Sequence, residues 1–142
     1  MEIIRAKHMG FCFGVSGAIE TCYNVLKETE NLGKKIYILG MLVHNEFVVK
    51  KLEKEGFETI EEEDILKKRD KLKSGDIVII RAHGTSEKVY NMLKEKNIKI
   101  YDATCIFVTQ IRKTLIEMEA KGYEILFVGD KEHPEVKGII SF

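Results

Sequence analysis

Short β-rich apolar runs alternate with amphipathic helical patterns along the whole 142-residue chain, and this alternation restricts the fold more than any other feature. "DIVIIRA" (76–82) is a continuous apolar run, the pattern of a strand covered on both faces. "EIIRA" (2–6), "KIYILGMLV" (35–43), "FETI" (57–60), "IKIYDA" (98–103) and "YEILFVG" (123–129) also read as strands. Between them, "SGAIETCYNVLKE" places Ala18, Ile19, Cys22, Val25 and Leu26 on one helical face. "NEFVVKKLEKEG" and "SEKVYNMLKEKN" are further helices, a long one runs through "VTQIRKTLIEMEAKG" to Gly122, and "PEVKGII" starts with proline in a favourable first-turn position. The expected fold class is α/β, a mainly parallel sheet with flanking helices.

Ligands of such sheets bind outside the C-terminal ends of the strands. Cys12, His44, His83, Cys105, His133 and Glu135 all fall where a strand hands over to a helix. A lone histidine there is most often a hydrogen-bonded surface residue, but three in one class of position suggest a site. Asn45, Thr85 or Ser86, and Pro134 follow them as helix-start residues, so each histidine would stand beside unpaired N–H groups and a positive helix end. That setting suits a phosphate or diphosphate. Glu135 reads either as a first-turn acid facing the helix dipole or as a proton relay beside His133.

The cysteines divide. Cys22 lies on the apolar helix face and reads as a buried small hydrophobe. Cys12 and Cys105 sit in turns leading to helix N-termini, where a thiolate is stabilised. They could form a redox pair, bind zinc with histidines or hold an iron–sulfur cluster, and their spacing leaves all three open. His8 reads as structural. Gly10, Gly14 and Gly17 do not match the dinucleotide fingerprint, and no P-loop is present.

Formal net charge is zero, which gives no bulk pull towards nucleic acid or anionic membrane. No run approaches a membrane span, and "MEIIRAKH" has no signal-peptide core, so a cytoplasmic location is expected. The charge run "EEEDILKKRDKLK" is expected to be a solvated helix or loop.

"GFCFGV", "VHN", "AHG", "DATC" and "GDKEHPEV", in this order and at these intervals, resemble the 4-hydroxy-3-methylbut-2-enyl diphosphate reductase family. The resemblance runs along essentially the entire chain. It implies α/β domains around a [4Fe-4S] cluster, each supplying one cysteine, with Cys12 and Cys105 as two ligands and the third not present in this chain. His44, His83 and His133 match substrate-binding histidines, chiefly for the diphosphate, and Glu135 matches the acid linked to proton delivery. The implied reaction is reductive dehydroxylation of an allylic diphosphate to isopentenyl and dimethylallyl diphosphate, with electrons from a ferredoxin- or flavodoxin-like donor.

The resemblance covers slightly less than the first half of the family. It implies a first α/β domain over 1–103, an incomplete second one over 104–142, and a truncated form that a complementing C-terminal half would complete. Ile106 stands where the family commonly has proline, and Arg112 where it commonly has histidine. Two alternatives remain at this level: a non-catalytic phosphate- or diphosphate-binding module, and a zinc-bound fragment without a cluster.

Overall fold

The computed structural model describes residues 2–7, 9–30 and 32–142, so the reading of His8 falls outside the described residues. Four strands, β1 (Ile36–Leu39), β2 (Glu58–Ile60), β3 (Ile77–Ile80) and β4 (Lys99–Asp102), pair in parallel in the order β2-β1-β3-β4. The helices are α1 (Phe13–Thr29), α2 (Glu46–Lys54), α3 (Glu62–Leu66), α4 (Glu87–Glu95), α5 (Ile106–Ala120) and α6 (Pro134–Ile139). The expected parallel α/β class is thus what the chain adopts.

Because side chains alternate along a strand, β3 feeds two cores. Ile77 and Ile79 join β1 residues Ile36 and Ile38 against Ala18, Cys22 and Val25 of α1 and Val48 and Leu52 of α2. Val78 and Ile80 point the other way, with Tyr37 and Leu39, onto Ile65 of α3 and Val89 and Leu93 of α4. All four β3 side chains are buried, each contributing roughly 1.5–3 kcal/mol of transfer free energy. Cys22 is fully buried, as its place on the apolar face predicts, and burial, then the nearby Glu55 charge, push its thiol up to about 12.

Two expected strands do not form. "EIIRA" and "YEILFVG" have no pairing partner among the described residues, and both lie open: Ile4 is 85% and Leu126 90% exposed. Apolar β-prone composition makes a strand only where a neighbour accepts its backbone hydrogen bonds. The charge run forms α3 and a loop with most of its charged side chains exposed, as expected. Ile65 is buried, and the fully covered Asp70 carboxylate takes two bonds from Lys96 Nζ at 2.5 and 2.7 Å. Among the described residues, no helix is long and apolar enough to cross a membrane.

Candidate functional site

The strand order sets the site. The chain leaves β1 towards β2 and leaves β3 towards β4, so the β1/β3 boundary is where the connections diverge and a crevice opens. The loops after these two strands carry His44 and His83. Beyond the strands the backbone stays laced: Ala82 N–H donates to Leu42 O at 3.1 Å, and Cys105 N–H to Ala82 O at 2.9 Å. The β1, β3 and β4 loops therefore leave the sheet as one surface.

On that surface the His44 and His83 rings lie 4.4 Å apart, centroid to centroid. His133 completes a triangle, 5.8 Å from His44 and 5.9 Å from His83. It arrives because α6 docks on the turn after β3. A β-carbon on Gly138 would lie 3.4 Å from the Thr85 carbonyl oxygen, and Ser141 Oγ accepts the Glu87 N–H at 3.1 Å. Histidines 89 residues apart in the chain thus face one space.

Each histidine's position has a local cause. Asn45 caps α2, its side-chain oxygen accepting from Phe47 and Val48 N–H at 3.0 and 3.2 Å, which fixes the adjoining His44. His133 is itself the N-cap of α6: its Nδ1 accepts the Glu135 N–H at 3.2 Å. That bond leaves the neutral ring's proton on Nε2. His83 has its pKa lowered to about 4, by burial first and then by His44, Arg81 and His133. It is neutral at pH 7. His44, Arg81 and His133 each disfavour a positive charge on His83, and a negative charge among them would offset that effect.

The thiols sit at the rim. Cys12 is exposed and is the N-cap of α1; Cys105 is partly buried and is the N-cap of α5. Neither side chain makes a capping hydrogen bond, so both sulfurs are free at positive helix ends. Cys105 packs against Gly14, two residues after Cys12. A cleft of about 280 Å³ lined by Phe11, Val15, Val43, His44, Asn45, Ala82 and His83 joins the Cys12 turn to the histidines. A larger cleft of about 470 Å³ between α5 and α6 is lined mainly by Leu115, Ile116, Ile125, Phe127, Ile139 and Phe142, and holds none of these groups.

Cys12 and Cys105 offer soft thiol donors of the kind that zinc and iron–sulfur clusters take, and the bare face of Gly14 makes room for Cys105. Among the described residues, no group of three or more His, Cys, Asp and Glu is spaced to hold a metal ion. Glu135 is the second residue of α6, partly buried, and joined to His133 through its own backbone N–H.

Several residues that shape the site carry no motif. Asp102 closes the turn before Cys105, accepting from Thr104 N–H at 2.9 Å and from the Thr104 hydroxyl, while Tyr90 OH donates to its other oxygen at 2.6 Å. Arg81 Nε donates to Gly84 O at 3.3 Å, and its Nη2 to Glu62 Oε2 at 3.2 Å. An arginine directly after a fully apolar strand and directly before "AHG" was the available signal for the second. Ile106 is the first residue of α5, the position where proline is tolerated best. The Arg112 guanidinium lies 4.0 Å over the Phe142 ring and beside Gly84.

A family profile described as "LytB protein" matches residues 3–142. A 4-hydroxy-3-methylbut-2-enyl diphosphate reductase of Fusobacterium nucleatum is 57% identical over 142 residues, covering 100% of this chain and 17% of that protein. A reductase of the same name from Thermoanaerobacter sp. is 46% identical over 139 residues, covering 98% of this chain and 46% of that protein. A solved structure of (E)-4-hydroxy-3-methyl-but-2-enyl diphosphate reductase superposes with a TM-score of 0.82 at 36% identity, over 98% of this chain and 46% of its own. The Plasmodium falciparum E-1-hydroxy-2-methyl-but-2-enyl-4-diphosphate reductase gives 0.78 at 39% identity, over 95% of this chain and 40% of its own. The chain therefore spans less than half the length of these relatives, and it belongs to the LytB protein family.

Proposed function

We propose that this chain forms the diphosphate-binding side, and part of the cofactor-binding side, of a 4-hydroxy-3-methylbut-2-enyl diphosphate reductase. The convergence of His44, His83 and His133 at the β1/β3 crevice, beside two thiol-bearing helix N-termini, carries this reading. The reaction takes up two electrons and two protons, breaks the allylic C–O bond and releases water, giving isopentenyl and dimethylallyl diphosphate.

Cys12 and Cys105 would hold two corners of a [4Fe-4S] cluster, which when bound supplies electrons and a Lewis-acidic iron for the hydroxyl. The chain's own residues do the remaining work. His133 presents Nε2–H to the diphosphate while its Nδ1 holds the α6 cap. His83, held neutral by burial, and His44 face the same space for the anion, and the apolar walls Phe11, Val15 and Val43 keep water from the allylic carbons. Glu135, beside His133, carries the proton that accompanies loss of water.

The partner reading follows from exposed apolar surface. Ile106, Phe107, Ile111 and Ile116 of α5, with Tyr123, Ile125, Leu126 and Val128, are all exposed. A polypeptide equivalent to the remainder of the relatives, in the same chain or a separate one, would cover them and supply the third cysteine. We place the domain boundary at 103/104, and propose a cytoplasmic protein served by a ferredoxin- or flavodoxin-like donor.

The test is anaerobic reconstitution with iron and sulfide, alone and with a polypeptide spanning the rest of the Thermoanaerobacter relative. The expected result is broad visible absorbance and conversion of the allylic diphosphate in the mixture, both lost with Cys12→Ser or Cys105→Ser. Pyrophosphate binding that ignores both cysteines, with no iron held in the mixture, would favour the non-catalytic anion-binding module instead.

A further inference from the structure

We infer that Arg81 is the positioning residue of the histidine site, tying the ends of three strands so that His83 stays against His44. The inference rests on the diphosphate-site reading above, but concerns a residue outside the motifs.

Arg81 immediately follows β3 and is only 12% exposed at its side chain. Its Nε donates to the carbonyl of Gly84, across His83, closing a loop around that histidine. Its Nη2 reaches Glu62, the first residue of α3 beyond β2, at 3.2 Å. Between these two bonds the guanidinium crosses the end of β1. A β-carbon on Gly40 would come within 2.5 Å of Arg81 Nη1, and Gly40 has φ +64°. Glycine is required there twice over, for the left-handed turn and for the passage of the arginine.

Glu62 has a second task. Its Oε1 accepts the Ser86 hydroxyl at 3.0 Å, and Ser86 is the N-cap of α4. That hydroxyl makes no capping bond to its own helix. The segment from Arg81 to Ser86, with His83 at its centre, is therefore held at both ends by one carboxylate. Lysine cannot reproduce the arrangement, because one ammonium on a flexible stem lacks the planar fork that faces Gly84 and Glu62 at once.

Arg81→Met and Arg81→Lys in the full 142-residue chain test this, with inorganic pyrophosphate as the probe. Two readouts are taken on the folded protein: the nuclear Overhauser contact between the His44 and His83 rings, and the pyrophosphate dissociation constant. The expected result for Arg81→Met is loss of the ring contact and at least tenfold weaker binding, with unfolding still cooperative. Arg81→Lys should recover part of the stability but little of either readout. Glu62→Gln, which keeps the shape and removes the charge, should fall between. A ring contact unchanged in Arg81→Met would overturn the inference, even if the melting temperature drops. Failure of the unmodified chain to bind pyrophosphate would count against the diphosphate-site reading instead, while the ring contact still decides the role of Arg81.

Discussion

The Cys105 sulfur lies against the bare α-carbon of Gly14: a β-carbon built on Gly14 would come within 2.6 Å of Sγ and 3.1 Å of Cβ of Cys105. The start of α1, two residues after Cys12, thus gives way to the second thiol. Alanine in place of glycine ordinarily stabilises a helix by about 1 kcal/mol. At this position the added methyl must displace the thiol or the helix start. Gly14→Ala is expected to fold, to keep both cysteines titratable by a thiol reagent, and to hold less than half the iron of the unmodified chain after anaerobic reconstitution. Iron and sulfide analysis checks it, and undiminished loading would show that the close approach has no bearing on the metal.

The three thiols should differ in reactivity in an order set by burial. Cys12 is exposed, Cys105 partly buried, and Cys22 buried with its pKa up to about 12. Only the thiolate reacts. Alkylation of the reduced apo chain at pH 8 should modify Cys12 first and Cys105 next. Cys22 should react only once denaturant opens the core. Peptide mass spectrometry over time reads the order, and early labelling of Cys22 would contradict its place between α1 and the sheet.

His83 makes the histidine site sensitive to pH. Its folded pKa of about 4 lies below the usual 6.5, so between these values the unfolded chain binds the extra proton. Stability therefore falls as pH drops from about 6.5 to about 4, and this contribution is gone below that window. Carboxylates titrate in the same range, so the measurement is a difference: urea unfolding of the chain and of His83→Gln at pH 7 and pH 5. The gap between the two proteins should shrink, or change sign in favour of glutamine, at the lower pH. Pyrophosphate should oppose the shift, and its binding near pH 6.5 should take up protons, seen as a calorimetric heat that depends on the buffer.

How much of this was legible in the sequence depended on where each residue's partners lie. β3 was readable because four consecutive apolar residues already imply cover on both faces, and Cys22 because helical spacing puts it beside Ala18 and Val25. "EIIRA" and "YEILFVG" look just as strand-like, yet a strand is a relation to a neighbour, and composition does not record whether the neighbour is present. The strand-end rule placed Cys12, His44, His83, Cys105, His133 and Glu135 in one class of position. Only His44, His83 and Cys105 follow a strand among the described residues, because the segments before Cys12 and His133 stay unpaired. Nor could the rule bring His133 to the other two histidines, because that depends on Gly138 docking against Thr85. Arg81 escaped for a similar reason: Gly40 and Glu62, which define its path, come from separate segments and only converge once β1, β2 and β3 are aligned.

His133 combines two roles that substitution can separate. Its Nδ1 caps α6 by accepting the Glu135 N–H, and Nε2 is left for a ligand. Asparagine is a strong N-cap whose side-chain oxygen can take the place of Nδ1, but it has no imidazole to reach the space shared with His44 and His83. His133→Asn should therefore keep stability within about 0.5 kcal/mol, whereas His133→Ala should lose about 1 kcal/mol with the cap. Both should weaken pyrophosphate binding alike, by roughly fivefold or more for one lost charge-assisted bond. Chemical denaturation and titration calorimetry on the two variants supply the comparison. If binding followed stability, falling with alanine but not with asparagine, then His133 would act only by holding the start of α6, and the anion site would reduce to His44 and His83.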